Sequence, residues 1–161
     1  MTMNWLAKSV RDIMTRDVVS IGSNELVRDA LHLMTENRVA WLPVLDRNGF
    51  CVGVLSQYDL VALATDAEEL EEDHDSVWGY ELISADLFTG TTLSDITGER
   101  VEDVMSSEVV QIRPDDSVGD AIDRLVRHRI HHLPVCDDMG RLLGVVSTMD
   151  LLALLRTPVG T

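Results

Sequence analysis

Basic charge is what this chain has least of. Its 161 residues include 13 Lys and Arg against 28 Asp and Glu, a net charge of −15. Binding a phosphate backbone needs a basic face, so nucleic acid is excluded as a partner and anionic membrane surfaces with it. Lysine is nearly missing: Lys8 stands alone, and the other basic residues are Arg. That balance fits a salt-tolerant cytoplasm and a GC-rich genome equally. Long apolar runs are absent too. No stretch approaches about 18 apolar residues, and the segment from Met1 to Val10 has no cleavage-site pattern, so the expectation is a soluble cytoplasmic protein. Cysteine is scarce, with Cys51 and Cys136 each in an apolar, strand-like run; both are expected as buried thiols in a reducing compartment. There is no Gly-rich phosphate loop, no nucleophile elbow and no paired His-Glu metal motif, so an enzyme is not expected.

What is there is a repeat. Residues 10–63 recur as 101–154: a shift of 91 positions aligns 54 residues without a gap, with roughly 22 identities. Each copy is marginal alone, so the two should pack on each other. The repeat predicts two similar lobes related by a pseudo-twofold axis, with two similar clefts. The cysteines fall at non-equivalent repeat positions, opposite Leu142 and Leu45.

Each copy reads β-α-β-β-α, an α/β (α+β) fold class. Val18–Ile21 and Val109–Ile112 are rich in β-formers. Val27, Ala30, Leu31 and Met34 stand at helical spacing, as do Val118, Ala121, Ile122 and Leu125. Asp115 or Asp116, just after Pro114, is the expected N-cap of the second of these helices. Val39–Leu45 and Phe50–Leu55 form a hairpin around Asp46–Gly49, matched by Ile130–Cys136 and Arg141–Val146 around Asp137–Gly140. A closing helix begins near Ser56 or Ser147.

The expected organisation is a lead-in helix over 1–9, a first repeat over 10–63, an acidic insert over 64–100, a second repeat over 101–156 and a tail over 157–161. The lead-in, with Trp5, Leu6 and Val10 on its apolar side, would pack on the opposite half. The insert carries Asp66, Glu68, Glu69, Glu71, Glu72, Asp73 and Asp75, which read as a solvated helix extension or a loop, against a cation site or docking surface. Trp78, Tyr80, Leu82, Ile83, Leu87 and Phe88 are apolar enough to dock back on the body, and Leu93 to Met105 should re-enter ordered structure.

The most specific recurring string is Gly-hydrophobic-hydrophobic-Ser-x-x-Asp, at Gly53–Asp59 and Gly144–Asp150. It sits where a strand hands over to a helix, and two readings share its geometry. In one, Ser and Asp form a capping box. In the other, the helix N-terminus faces an anion, the Ser hydroxyl meets a ribose or phosphate oxygen, and the carboxylate accepts from vicinal ribose hydroxyls. The glycine would let a ligand approach the backbone.

Together, Asp12-Ile13-Met14-Thr15 and Asp103-Val104-Met105-Ser106, Asp29-Ala30 and Asp120-Ala121, the two Leu-Pro-Val-x-Asp-type strings and both Gly-x-x-Ser-x-x-Asp motifs make the chain resemble a tandem CBS domain pair, or Bateman module. The resemblance implies two domains packed through their sheets, with inter-repeat clefts for an adenosine-type nucleotide: AMP, ADP, ATP or S-adenosylmethionine. It implies that Ser56, Asp59, Ser147 and Asp150 hold ribose and phosphate. Backbone at Val19, Ser20 and Ile21, and at Val110, Gln111 and Ile112, would frame the base, with Val54 and Val145 as walls. His131 and His132 match phosphate-binding positions, where the first repeat has Ala40 and Trp41, so asymmetric clefts are expected. Arg38 and Arg129 could serve either cleft or balance a helix C-terminus; the histidines could equally be strand-edge polarity, and Trp41 a core or dimer contact. A zinc site at His128, His131, His132 and Cys136 is disfavoured, since neighbours in a strand face opposite sides. The positive field should concentrate around Arg129, His131 and His132. No resident cofactor is implied, and magnesium only alongside ATP. The partners implied are the nucleotide, a second copy of the chain through apolar faces around Leu60, Leu63, Leu151 and Leu155 (unless these are ordinary core), and an unnamed protein target. The competing reading is a ligand-free dimerisation scaffold.

Overall fold

The structure, a computed structural model, describes residues 4–64 and 96–156. The acidic run and the apolar residues from Trp78 to Phe88 lie outside them. The described residues form two compact bodies: one of 19–47, 52–64 and 96–108, the other of 4–18, 48–51 and 109–156.

In the first body, β1 (Ile21–Gly22) runs parallel to β2 (Trp41–Leu45), with Ile21 opposite Val44. The sheet order is β1-β2-β3, β3 being Cys51–Ser56. Helix α1 (Val27–Asn37) buries Val27, Ala30 and Met34 against this sheet's core residues Leu42, Val44 and Leu55. Helix α2 (Gln57–Ala64) adds Leu60, and the short helix α3 (Val101–Val104) adds Val101. The second body repeats the plan. Strands β4 (His132–Cys136) and β5 (Leu142–Ser147) are antiparallel. Helix α4 (Val118–His128) buries Val118, Ala121 and Leu125, and helix α5 (Thr148–Arg156) closes the unit. Gly49 and Gly140 turn the hairpins at φ 83° and 90°, a region that residues with a Cβ avoid.

The opening segment of each repeat packs into the core of the other. Val10 is buried with Ile112, Leu133, Val135 and Val146, whereas Val101 is buried with Ile21, Leu42 and Leu55. Backbone pairing fixes this exchange. Thr15 and Val145 trade two hydrogen bonds of 2.9 Å, and Ser106 and Val54 trade two of 2.9 Å. The expected packing of the lead-in on the opposite half is therefore observed, through Val118 N–H to Lys8 O at 2.9 Å and the Ser9–Ser117 bridge.

Several local expectations are corrected. The lead-in is not an α-helix but two short 3-10 turns, Asn4–Ala7 and Val10–Asp12, since Ser9 between them is drawn into the bridge to Ser117. Of the β-rich segment before α1 only Ile21–Gly22 is strand, and its counterpart makes a single bridge from Ile112 to Val135. The N-cap of α4 is Ser117, not Asp115 or Asp116: Asp120 N–H donates to Ser117 Oγ at 3.1 Å, and Ser117 N–H donates to Asp120 Oδ2 at 3.0 Å. Asp116 instead accepts from Arg113 N–H, and Asp115 pairs with Arg11. Of the two readings of the closing-helix leucines, core holds for Leu60, whereas Leu63 and Leu155 are exposed. No helix among the described residues is long and apolar enough to cross a membrane.

Candidate functional site

Ser56 ends β3 and Ser147 ends β5, so each hydroxyl stands at the start of the helix that follows. Ser56 N–H and Oγ–H both donate to Asp59 Oδ2, each at 2.8 Å, and Asp59 N–H returns to Ser56 Oγ at 3.2 Å. In the second repeat the same three bonds measure 2.7, 3.0 and 3.2 Å. The capping reading is thus realised twice. It consumes one carboxylate oxygen. No other hydrogen bond reaches Asp59 or Asp150 among the described residues, which leaves Oδ1 of each open as an acceptor. Both acids are half-buried. A rigid carboxylate with one oxygen tied down and one open can take a donor pair such as a sugar diol without first ordering itself.

The second repeat adds a histidine. His132 begins β4, while His131 lies just outside it and its carbonyl accepts from Thr148 N–H at 3.0 Å. Burial pushes the His132 imidazole below its ordinary range. Neighbouring His131 adds to that, and the charge of Asp150 opposes it. His132 is therefore neutral near pH 7 and close enough to Asp150 to feel it. In the first repeat Ala40 and Trp41 stand at these positions, and the Ala40 carbonyl caps Gln57 N–H at 2.9 Å in the same way.

Arg38 and Arg129 are the C-cap residues of α1 and α4. Both hold the left-handed conformation, with φ 54° and 51°, and both side chains are exposed. Each folds back through its own N–H to the last turn of its helix. Their place in the chain is therefore set by the helix stop, which glycine normally makes.

The residues expected to frame a base divide by burial. Ile21 and Ile112 are core residues, so they offer backbone alone. Val19, Ser20 and Val110 are half-buried and Gln111 is exposed. The Gln111 carbonyl already accepts from Arg124 Nη1; Leu33, at the equivalent position of the first repeat, supplies no donor. Val54 is half-buried and Val145 buried, and their backbones are spent on Ser106 and Thr15.

The glycine expectation is corrected. Beside Gly53 and Gly144 stand Met105 and Met14 and the backbone of Ser106 and Thr15, so the close approach belongs to the exchanged segments and not to a ligand.

Val110 and Gln111 line an open groove of about 500 Å³ with Asp120, Asp123, Arg124, Arg127 and His128; Ser147, Asp150, His131 and His132 do not line it. Among the described residues no group of three or more His, Cys, Asp or Glu is placed to hold a metal ion. Sequence reasoning passed over Gln57, which buries its side-chain oxygen beside Ser56 without a hydrogen-bond partner. Thr148 at the matching position breaks the repeat there, and that break was the available signal.

A family model described as the CBS domain matches residues 10–66 and 101–157. The chain is 32% identical over 154 residues to an uncharacterised protein of Methanocaldococcus jannaschii, covering 91% of this chain and 90% of that protein. It is 28% identical over 161 residues to the human 5'-AMP-activated protein kinase subunit gamma-3, covering 98% of this chain but 29% of the subunit. It therefore spans less than a third of that relative. Among solved structures it resembles CBSX2 in complex with AMP, at a TM-score of 0.69 and 29% identity, covering 91% of this chain and 95% of that one.

Proposed function

Because the chain belongs to the CBS domain family, we propose that it is a regulatory module, not an enzyme, that binds an adenosine-type nucleotide. The ligands of this reading are AMP, ADP or ATP, with S-adenosylmethionine as the alternative. The observation that carries it is the open Oδ1 of Asp59 and of Asp150, each held beside a helix start by a Ser that also presents its hydroxyl. The complex of CBSX2 with AMP supports the ligand class. In this reading each carboxylate accepts ribose hydroxyls. Arg129, His131 and His132 give the second repeat the stronger hold on phosphate. A negative phosphate would stabilise the imidazolium of His132, so binding would take up a proton and tighten as pH falls.

Regulation follows only if the ligand prefers one arrangement of the protein over another. A second copy of the chain is part of the reading: on α5, Met149, Leu152 and Leu155 are 69%, 55% and 60% exposed, an apolar stripe at helical spacing.

The test is a thermal-melt panel with AMP, ADP, ATP, S-adenosylmethionine and buffer at matched ionic strength. A ligand at a hundred times its dissociation constant stabilises by about 2.7 kcal/mol, a rise on the order of 5–10 °C for a domain of this size. A rise with one nucleotide that Asp150→Ala removes supports the reading. No shift with any of the four rejects it in favour of a ligand-free scaffold.

A further inference from the structure

Cys51 and Cys136, which occupy non-equivalent repeat positions, meet in the folded chain. Both lie in the body of the second repeat. Cys51 N–H donates to Gly140 O at 3.0 Å, beside the bridge between Phe50 and Arg141. Cys136 ends β4, paired with Leu142 across a register shift that separates it from Val135. Leu142 N–H in turn donates to Gly49 O at 3.2 Å. Both cysteines therefore flank the same short segment, 140–142, and their thiols are in hydrogen-bond contact. Neither is in a disulfide; Cys51 is half-buried and Cys136 buried.

We propose that this pair is a redox modification site, which closes to an intramolecular disulfide when the protein meets a low-molecular-weight disulfide such as oxidised glutathione. Cys51 is the more accessible sulfur and reacts first. Its thiolate attacks one sulfur of the small disulfide, whose S–S bond breaks. One small thiolate leaves and takes up a proton. Cys136 then gives its proton to solvent and attacks Cys51 Sγ. The mixed disulfide breaks and the second small thiol departs. Two protein thiols have lost two electrons, and one small disulfide has become two small thiols. The Cys51 contact, then burial, hold the Cys136 thiol protonated well above its ordinary range. The second step is therefore slow at neutral pH and quickens as pH rises. The bond would close a loop of roughly 85 residues and join the hairpins of the two repeats covalently. None of this chemistry depends on nucleotide binding.

The test exposes the reduced full chain to oxidised glutathione at about pH 8, where thiolate is accessible. Remaining thiols are then alkylated, and the protein is digested without reduction and mapped by mass spectrometry. The expected result is a monomer that has lost both alkylatable thiols, with the Cys51 peptide joined to the Cys136 peptide and released by dithiothreitol. In Cys51→Ser, Cys136 should stay alkylatable under the same exposure. Glutathione retained on Cys51, a disulfide between two chains, or full alkylation of both cysteines after exposure would each overturn the proposal.

Discussion

A methyl group added at Gly144 tests the exchanged packing directly. The new Cβ would lie 2.7 Å from Thr15 O, 2.9 Å from Met14 Sδ and 3.2 Å from Met14 Cγ. The thioether can swing aside. The carbonyl cannot do so cheaply, because Thr15 and Val145 hold each other through two backbone bonds of 2.9 Å. Overpacking of this kind costs about 1–3 kcal/mol, and the backbone obstacle places Gly144→Ala toward the upper end. At Gly53 the same methyl would collide first with Met105 Sδ, the movable end of a side chain, and would approach Ser106 O at 3.0 Å. Gly53→Ala should therefore cost about 1 kcal/mol. With a urea m-value of about 2 kcal/mol/M, the midpoint should fall by roughly 1.3 M for Gly144→Ala and about 0.5 M for Gly53→Ala. If Gly144→Ala melts within about 0.5 kcal/mol of the parent, or Gly53→Ala is the worse of the two, the packing argument is wrong.

Ser117→Ala should lower stability by about 1 kcal/mol in a thermal melt, since the cap of α4 is lost, while Asp115→Ala, which breaks an exposed ion pair with Arg11, should change it by less than about 0.5 kcal/mol. The reverse order would restore an aspartate cap. Arg38→Gly and Arg129→Gly should each raise stability by about 0.5–1 kcal/mol in urea titrations, because glycine holds a positive φ without strain; a loss would mean that the arginine side chains do structural work. The depressed His132 imidazole also predicts a pH dependence. The folded state disfavours the imidazolium, so its contribution is complete above the ordinary histidine value of 6.5 and is lost as pH falls through 6.5 toward the lower folded value. Urea midpoints at about pH 8 and about pH 5.5 should differ more in the parent than in His132→Gln, and equal differences would remove His132 as the source.

The parts of this fold that were legible are those with local causes. Val27, Ala30 and Met34, and Val118, Ala121 and Leu125, announce helices because burial follows their own spacing. Gly49 and Gly140 announce turns because few other residues tolerate their φ. The apolar lead-in hinted that Val10 packs on the other half, but the matching exchange of Val101 left no local pattern, since both rest on backbone pairs more than 100 positions apart for Val10's segment and roughly 50 to 80 apart for the other. Ser117 was passed over because Asp115 and Asp116 are equally good caps by type; only its spacing to Asp120 decides. The left-handed conformation of Arg38 and Arg129 was not legible, because arginine carries no local signal of a positive φ. At the site, the Ser and Asp pairs were readable both as caps and as ligand holders. The structure shows the caps and leaves an oxygen over. The meeting of Cys51 and Cys136 was not readable, because their repeat offsets differ and a register shift intervenes.

Calorimetric titration of AMP into the parent and into the double variant Asp59→Asn with Asp150→Asn is the most direct test of the nucleotide reading. Asparagine keeps a carbonyl oxygen for the Ser cap but puts an amide N–H where a sugar hydroxyl must donate. The account predicts saturable binding to the parent and a loss of roughly 10- to 100-fold in the variant, the worth of one or two charged hydrogen bonds, with a nearly unchanged melting temperature. Equal affinity in a variant that melts like the parent would show that the two carboxylates only cap their helices.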